Sequence, residues 1–291
     1  MEQENTKILF NSNQTQSNSG FYLVKPWEHQ LKAIEQAKTQ TEFALFFEMG
    51  TGKTATAINI YRHWYTQSGG VFPTIIFCPP VIIGQWAKEW EDHSKVGHLV
   101  QQVKGTGSER LAKLKDGLAA GKKIFITNYE TLLMEPCFAY MQGKFKGLIC
   151  DESHKIKSPD AKRTKRLILL SDSIKHKLIL TGTPILNTPM DIFSQFRVLD
   201  GGKSFGKSFW EFRARYFYDK NAGMPASSHF PDWRPRPGVE QRFNELIYQK
   251  AAQAKKADCL DLPPLVRKVI SVEMSKKQAR VYYDVAQDFV S

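Results

Sequence analysis

The stretch "FFEMGTGKT", Phe46 to Thr54, constrains the fold more than any other part of this 291-residue chain. An apolar run enters a glycine-rich turn that ends in a lysine and a hydroxyl, the layout of a phosphate-binding loop between a strand and a helix. Such a loop needs glycines so that backbone N–H groups converge on phosphate oxygens. It also needs a lysine to reach the outer phosphates and a Ser/Thr hydroxyl to ligate magnesium. Gly50, Gly52, Lys53 and Thr54 supply these groups, and "TATAINIYRHW" continues as a helix whose N-terminus favours anions. Position 47 holds Phe47 where the standard pattern has glycine, so the match is to a relaxed form with Gly50 inside the loop. The alternative is a chance glycine turn, and the strand before it and the helix after it both count against that.

The surroundings suit such a loop. From Pro26 to about Leu199, short apolar runs alternate with amphipathic stretches, the pattern of an α/β fold in which a parallel sheet is flanked by helices. The expected strands are Phe43–Phe47, Thr74–Cys78, Leu99–Val103, Lys123–Thr127, Gly147–Cys150 and Leu178–Thr181, each rich in Ile, Leu, Val or Phe as a strand buried on both faces should be. Helical spacing of apolar residues falls in Lys53–Tyr65, Ile83–His93, Glu109–Ala119 and Met190–Leu199. Length allows one large α/β domain or two smaller ones. No stretch approaches the roughly 18 apolar residues a membrane span needs, so no membrane partner is expected. Cys78, Cys137, Cys150 and Cys259 lie far apart with no Cys-x-x-Cys pair, which points to a reducing compartment: cytoplasmic, or nuclear in a eukaryote. Residues 1–20 are polar, rich in Asn, Gln and Ser, and lack an apolar signal core; they read as a flexible leader.

Beyond Gly201 the character changes. "GGKSFGKSFWEFRARYFYDK" is aromatic and basic and "SSHFPDWRPRPG" is proline-rich, so residues 201–262 are expected to form a mainly helical insertion or subdomain, with a helix near Glu240–Lys255. Residues 263–291 should hold an extended segment near Val266–Val272 and a helix opened by a Ser275/Gln278 capping box, with Ala279, Tyr282, Ala286 and Phe289 on one stripe. That helix runs to Ser291 without a stop signal, as if the chain were cut there.

Two further patterns carry chemistry. "GLICDESHKIK" puts Asp151 and Glu152 directly after an apolar run, at the carboxyl edge of a sheet, where ligands bind in open α/β folds. In phosphoryl transfer the first acid can hold the magnesium shell and the second can polarise the attacking water. A solvated acidic turn is the competing reading, and the cradle about a hundred residues upstream tips the balance toward chemistry. His154 by itself reads as structural. "LILTGTPILNTPMDIF" ends a strand in Thr181, Gly182, Thr183 and Pro184, whose hydroxyls could sense a phosphate; an ordinary strand-to-helix turn would look the same. The net charge of +12 favours a polyanionic partner. Lys144, Lys146, Lys155, Lys157, Lys162, Arg163, Lys165 and Arg166 crowd in sequence around the acidic pair, as a phosphate-contacting face or as a solvated one. Trp233 and the aromatics of Phe209–Phe217 are read as packing for the insertion rather than as base-stacking platforms.

The ordered blocks "HQLKAI", "EMGTGKT", "IIFCPPVIIGQWAKEW", "ITNYET", "DESHKIK" and "LTGTPILNTPMDIF" resemble the Swi/Snf-type branch of superfamily two helicase-like ATPases, over about residues 22–290. "LTGTP" followed by Asn187 separates this branch from the RNA-directed DEAD-box branch, whose third block is usually Ser-Ala-Thr. The resemblance implies that residues 21–200 form a RecA-like P-loop NTPase lobe with ATP and Mg2+ as cofactors. It implies ATP binding by Gln30, Met49, Gly50, Thr51, Gly52, Lys53, Thr54 and Ala55, with Gln30 reading the adenine edge. Metal binding would fall to Thr54 and Asp151, catalysis to Lys53, Asp151 and Glu152, and coupling to Thr181, Gly182 and Thr183. It further implies nucleic-acid contacts at Pro79, Gln85, Trp86, Thr127, Asn128 and Tyr129, with double-stranded DNA as the partner of a monomeric translocase. The chain departs from the family pattern at Phe47, Ser153 and Ser158. The family completes its ATP site with arginine fingers from a second RecA-like lobe, and no such block follows Leu199. The chain alone is therefore expected to bind nucleotide and to hydrolyse it weakly or not at all, since an arginine finger is worth roughly 10³–10⁵ in rate. The rival readings are an RNA or single-strand helicase lobe, and a non-catalytic nucleic-acid-binding module with a structural ATP site.

Overall fold

The computed structural model describes residues 21–185, 188–224, 230–259, 268, 271 and 273–288. The polar leader, Asn187, most of the Val266–Val272 segment and Phe289 lie outside the described residues. In chain order the elements are α1 (Glu28–Ala37), β1 (Glu42–Phe47), α2 (Lys53–Ser68), β2 (Thr74–Phe77), α3 (Ile83–His93), β3 (Val100–Gln102) and α4 (Gly107–Ala119). Then come β4 (Ile124–Thr127), α5 (Glu135–Met141), β5 (Gly147–Asp151), α6 (Lys162–Ser171), β6 (His176–Leu180) and α7 (Ile192–Asp200). They are followed by α8 (Phe209–Tyr216), β7 (Phe217–Asp219), β8 (Trp233–Pro235), α9 (Val239–Tyr248), β9 (Ala251–Ala254) and the single turn α10 (Lys256–Cys259). These belong to one compact unit through Cys259. A second unit begins at Leu260 and holds α11 (Lys276–Asp288), whose first turn is closed reciprocally by the Ser275 and Gln278 side chains as the capping box requires. No helix among the described residues is long and apolar enough to cross a membrane.

All six expected strands are present and join one sheet in the order β3-β4-β2-β5-β6-β1-β9, every pair parallel. A parallel sheet of this kind must be covered on both faces, and the period-2 alternation shows how. Ala44, Phe46, Ile75, Phe77, Phe125, Leu148, Cys150 and Ile179 point into one core with α4 to α9. Phe43, Leu45, Phe47, Ile76, Ile124, Ile126, Ile149, Leu178 and Leu180 point into the other, against α1, α2 and α3. The region after Gly201 packs onto the first core through Phe205, Phe212, Tyr216, Phe217 and Phe243, whose rings meet edge-on or tilted at 4.9–6.1 Å. These aromatics pack as expected, while Trp210 stays exposed.

One expectation fails here. The stretch Glu240–Lys255 is not a single helix: α9 ends at Tyr248, and "AAQA" forms β9, paired in register with β1 from Ala44↔Ala251 to Phe47↔Ala254. Alanine prefers helix, but β1 would otherwise leave a row of unpaired backbone groups along a buried edge, and satisfying them outweighs propensity.

The start of β1 is tied to the same region by charge. Glu42 is buried and accepts from Lys203 at 2.8 Å and Lys250 at 2.9 Å, with Lys177 at 3.8 Å. Asp200 accepts from the backbone of Gly202, Lys203 and Ser204 and lies 3.4 Å from Lys250. Burial raises the pKa of Glu42, but the hydrogen bonds from Lys203 and Lys250 and the charge of Lys177 outweigh it and hold the carboxyl below its usual range. Replacing Glu42 with Gln strands Lys177, so the variant should lose about 3 kcal/mol in urea unfolding at pH 7. A carboxyl with a depressed folded-state pKa stabilises above the ordinary Glu range and loses that contribution as the pH falls through the folded value. The gap between wild type and Glu42→Gln should therefore close in acid.

Candidate functional site

Strands β5, β6 and β1 lie side by side with Asp151 opposite Leu180 and Leu180 opposite Leu45, so the turns that follow all three leave the sheet at one edge. These turns are the acidic "DESH", the "TGTP" segment and the glycine-rich loop. Three motifs far apart in the chain thus converge on one cleft.

The loop turns between β1 and α2 through Gly50 and Gly52, both at positive φ, +84° and +78°. Any side chain at Gly52 would be strained there, and its Cβ would sit 1.9 Å from Gln30 Nε2. Thr51 is buried and donates its hydroxyl to Glu48 O at 2.8 Å, which braces the turn from within. Lys53 folds over the loop and donates to Phe47 O at 2.8 Å. Thr54 and Ala55 stand half-buried in the first turn of α2, and Met49 is 71% exposed at the rim. Gln30 is 6% exposed; its Oε1 accepts from Trp27 N at 2.9 Å and its Nε2 reaches Thr51 O at 3.3 Å. The amide that was expected to read an adenine edge is instead engaged with the loop, beside His29, whose Nε2 is 2.8 Å from Thr51 O.

Asp151 closes β5 and is 5% exposed. Burial pushes its pKa up to about 6, and the neighbouring Glu152 charge adds to this; the Trp86 indole N–H, donating at 2.7 Å, and the Glu152 backbone N–H, donating at 2.9 Å, hold it down. Tyr129 donates its hydroxyl to Asp151 O at 2.7 Å, so the backbone of this residue is held as firmly as its side chain. Glu152 is the one non-glycine residue at positive φ among those described, at φ 50°. A left-handed glutamate costs about 1 kcal/mol, and the position turns its carboxylate out of the strand direction toward the cleft. There Glu152 Oε2 lies 3.2 Å from His154 Nδ1, and the same nitrogen is 3.1 Å from Thr181 Oγ1. A carboxylate can only accept, so we assign the proton to Nδ1. Burial, aided by nearby lysines and opposed by Glu152, depresses the His154 pKa and favours the neutral ring. A second bridge is buried below: Ser153 donates to Gln195 Oε1 at 2.6 Å, and Gln195 Nε2 donates to Pro184 O at 2.7 Å and Asp191 O at 3.0 Å. Two side-chain links thus join the acidic turn to the threonine turn. Neither was legible from the sequence, because His154 and Gln195 meet their partners only through the fold.

The turns enclose a cleft of about 500 Å³ lined by Glu48, Met49, Glu152, His154, Gly182, Thr183 and Lys256. Gly182 lies against the loop: a Cβ there would be 3.3 Å from Phe47 O and 3.8 Å from Lys53 Nζ. The residues fit a magnesium nucleotide. The glycine cradle is one that side chains would fill, and Lys53 has only a carbonyl to hold. Among the described residues no group of three or more His, Cys, Asp or Glu could hold a metal ion by itself. Magnesium takes one or two protein oxygens and completes its shell with phosphate and water, so a site for it needs no such group.

The expected nucleic-acid contacts divide. Pro79 is half-buried and Gln85 exposed, on either side of the protruding Val81. Trp86, at 1% exposure, and Thr127, Asn128 and Tyr129 are buried, so these four side chains are not placed to touch a ligand on the surface. Trp86 and Tyr129 hold Asp151, and Thr127 donates to Val103 O at 2.9 Å. The periodicity of α3 turns its tryptophans inward. The basic run also separates in space. Lys144 and Lys146 precede β5 and Lys155 to Arg166 follow it, at opposite ends of a five-residue strand, about 16 Å apart. Lys157, Arg163, Lys165 and Arg166 pair with Asp191, Glu130, Asp160 and Glu135, and Lys155 and Lys162 are exposed.

A family model described as the SNF2-related domain matches residues 29–290. The chain is 28% identical over 245 residues to putative protein p41 of Acyrthosiphon pisum secondary endosymbiont phage 1, covering 81% of this chain and 51% of that protein. It is 31% identical over 169 residues to the SWI/SNF-related matrix-associated actin-dependent regulator of chromatin subfamily A-like protein 1 homolog of Caenorhabditis elegans, covering 58% of this chain and 23% of that protein. The DNA annealing helicase and endonuclease ZRANB3 of Bos taurus is 28% identical over 240 residues, 80% of this chain and 21% of its own length. The chain therefore spans about half the length, or less, of these relatives. Its fold is similar to the Sulfolobus solfataricus SWI2/SNF2 ATPase core in complex with dsDNA, with a TM-score of 0.61 at 22% identity over 91% of this chain and 54% of that one.

The indole N–H at Asp151 is separable by mutation. In the nucleotide-free chain, carboxyl carbon NMR shifts should place the Asp151 midpoint near 6. Trp86→Phe keeps the ring and removes the donor, so the midpoint should rise; an unchanged midpoint would mean the bond does not stabilise the ionised form.

Proposed function

The chain belongs to the SNF2-related domain family, and from that premise we propose that it is the ATP-binding lobe of a DNA-dependent ATPase that translocates on duplex DNA to remodel protein–DNA or DNA structures. One observation carries the reading: the glycine-rich loop, the Asp151–Glu152 pair and the Thr181–Thr183 turn line one edge of three adjacent in-register strands. The names of the relatives, and a solved neighbour bound to double-stranded DNA, support duplex DNA as the partner.

In this reading the backbone N–H groups of residues 50–54 cradle the phosphates at the N-terminus of α2. Lys53 exchanges Phe47 O for phosphate oxygens, a short swing from where it now lies. Thr54 and Asp151 would hold magnesium, which supplies charge neutralisation at the phosphate oxygens when bound. Glu152 accepts a proton from the attacking water, and His154 fixes the orientation of its carboxylate. Because His154 also contacts Thr181, and Gln195 ties Ser153 to Pro184, a shift at Glu152 moves the Thr181–Thr183 turn with it. Pro79 and Gln85, with Lys155 and Lys162, supply the face toward DNA. Residues 21–200 act as the nucleotide lobe, residues 201–262 elaborate it, and 263–291 lead to a second lobe in the same longer chain. That second lobe supplies the arginine fingers, and the protein acts as a monomer.

ATP hydrolysis by this chain and by a version extended beyond Ser291 tests the reading, with duplex DNA, single-stranded DNA or RNA added. The extended protein should be stimulated by duplex DNA and this chain should turn over slowly; stimulation by RNA alone would refute the DNA assignment. In the extended protein Glu152→Gln should lower kcat about 10²–10⁴-fold with ATP binding intact. Loss of ATP binding in that variant would count against Glu152 as the group that activates water.

A further inference from the structure

We propose that Lys256, carried by the segment that leaves the lobe, is a nucleotide-binding residue that contacts the outermost phosphate of a bound nucleoside triphosphate. This rests on the nucleotide reading of the cleft. Nothing in the glycine-rich loop or the acidic turn points to this residue, which lies about two hundred positions downstream of the loop in a stretch with no phosphate motif.

Three contacts place it. The β9 ladder runs beside β1 to its last residue, with Ala254 opposite Phe47, and continues as Glu48 N–H donates to Ala254 O at 3.0 Å. The outgoing chain is thereby held to the entrance of the loop by main-chain bonds. Next, Lys256 N donates to Glu48 Oε2 at 2.8 Å, so a loop carboxylate anchors the backbone of the lysine. Finally, the Lys256 side chain passes over the loop: its Cε is 3.8 Å from where a Cβ on Gly50 would be.

The Lys256 side chain belongs to the lining of the cleft. Lys256 is the one lysine or arginine lining it among the described residues, and none of their carboxylates forms an ion pair with its ammonium. Lys53 approaches from the inner side, by Phe47 and Gly182. Lys256 approaches from the outer side, across Gly50. It shares the lining with Glu152, His154 and Thr183, the groups at the end of the nucleotide where water attacks. A cation there meets the terminal phosphate of a triphosphate and finds nothing to hold in a diphosphate. Nucleotide state would then be felt directly by α10, without passing through the threonine turn.

Equilibrium binding of ATP and of ADP, each with magnesium, to the whole 291-residue chain tests this with wild type, Lys256→Gln and Lys53→Ala. One charge-assisted hydrogen bond to phosphate predicts that Lys256→Gln weakens ATP about tenfold and leaves ADP within about twofold. Lys53→Ala should weaken both. The Lys256 side chain is exposed, so matching thermal melts will show the fold intact. If Lys53→Ala weakens both nucleotides while Lys256→Gln leaves ATP unchanged, the inference is overturned and the nucleotide reading stands. Equal losses for ATP and ADP in Lys256→Gln overturn the terminal-phosphate contact. If wild type binds neither nucleotide, the reading of the cleft falls and this inference falls with it.

Discussion

In-register parallel pairing of β5, β6 and β1 is the constraint on which the rest of the molecule depends. Parallel strands finish at the same edge only if their registers agree, and a slip of one residue would turn every side chain to the opposite face. Here the alternation is fully occupied: Phe43, Leu45 and Phe47 face one core while Ala44 and Phe46 face the other. Hydrophobic burial on two faces therefore positions three polar turns that contribute little to the core themselves.

Those turns carry local costs that the scaffold offsets. Asp151 is nearly buried and its ionised form is disfavoured, yet an indole N–H and a backbone N–H keep its pKa near 6 instead of higher. Glu152 adopts a left-handed backbone that glycine or asparagine would take more readily. The Tyr129 hydroxyl on Asp151 O and the two side-chain bridges through His154 and Gln195 over-determine the turn and keep it in that state. Strain held by several independent contacts marks a site whose geometry matters more than its stability.

The region after Gly201 contributes twice. Its aromatic cluster extends one core, and the Glu42 and Asp200 networks fasten it to the start of β1. Its strand β9 then covers the open edge of β1 and carries Lys256 to the loop at the other end of the same strand. A single edge strand thus connects the base of the lobe with the mouth of its cleft: the Glu42 and Asp200 networks secure one end, and Lys256 stands over the glycine-rich loop at the other.

Much of this was legible in the sequence. The six strands, the phosphate loop and the carboxylate pair are local signals: apolar runs, glycines at a turn, acids at a strand end. The capping box at Ser275 belongs with them. What failed was non-local. Trp86, Thr127, Asn128 and Tyr129 look like surface contacts in a linear motif, but helical phase and strand burial turn them inward. "AAQA" reads as helix until the edge of β1 is there to pair with it. Lysines that crowd together in the chain part company when a strand runs between them. The sequence by itself determined which residues could cradle phosphate and which could be buried, because those follow from side-chain chemistry and period. Only the tertiary structure decided which groups share the cleft, how Asp151 and Glu152 are held, and that Lys256 reaches the loop. Those properties depend on distances between residues from about twenty to about two hundred positions apart, which parallel pairing and two-sided burial set.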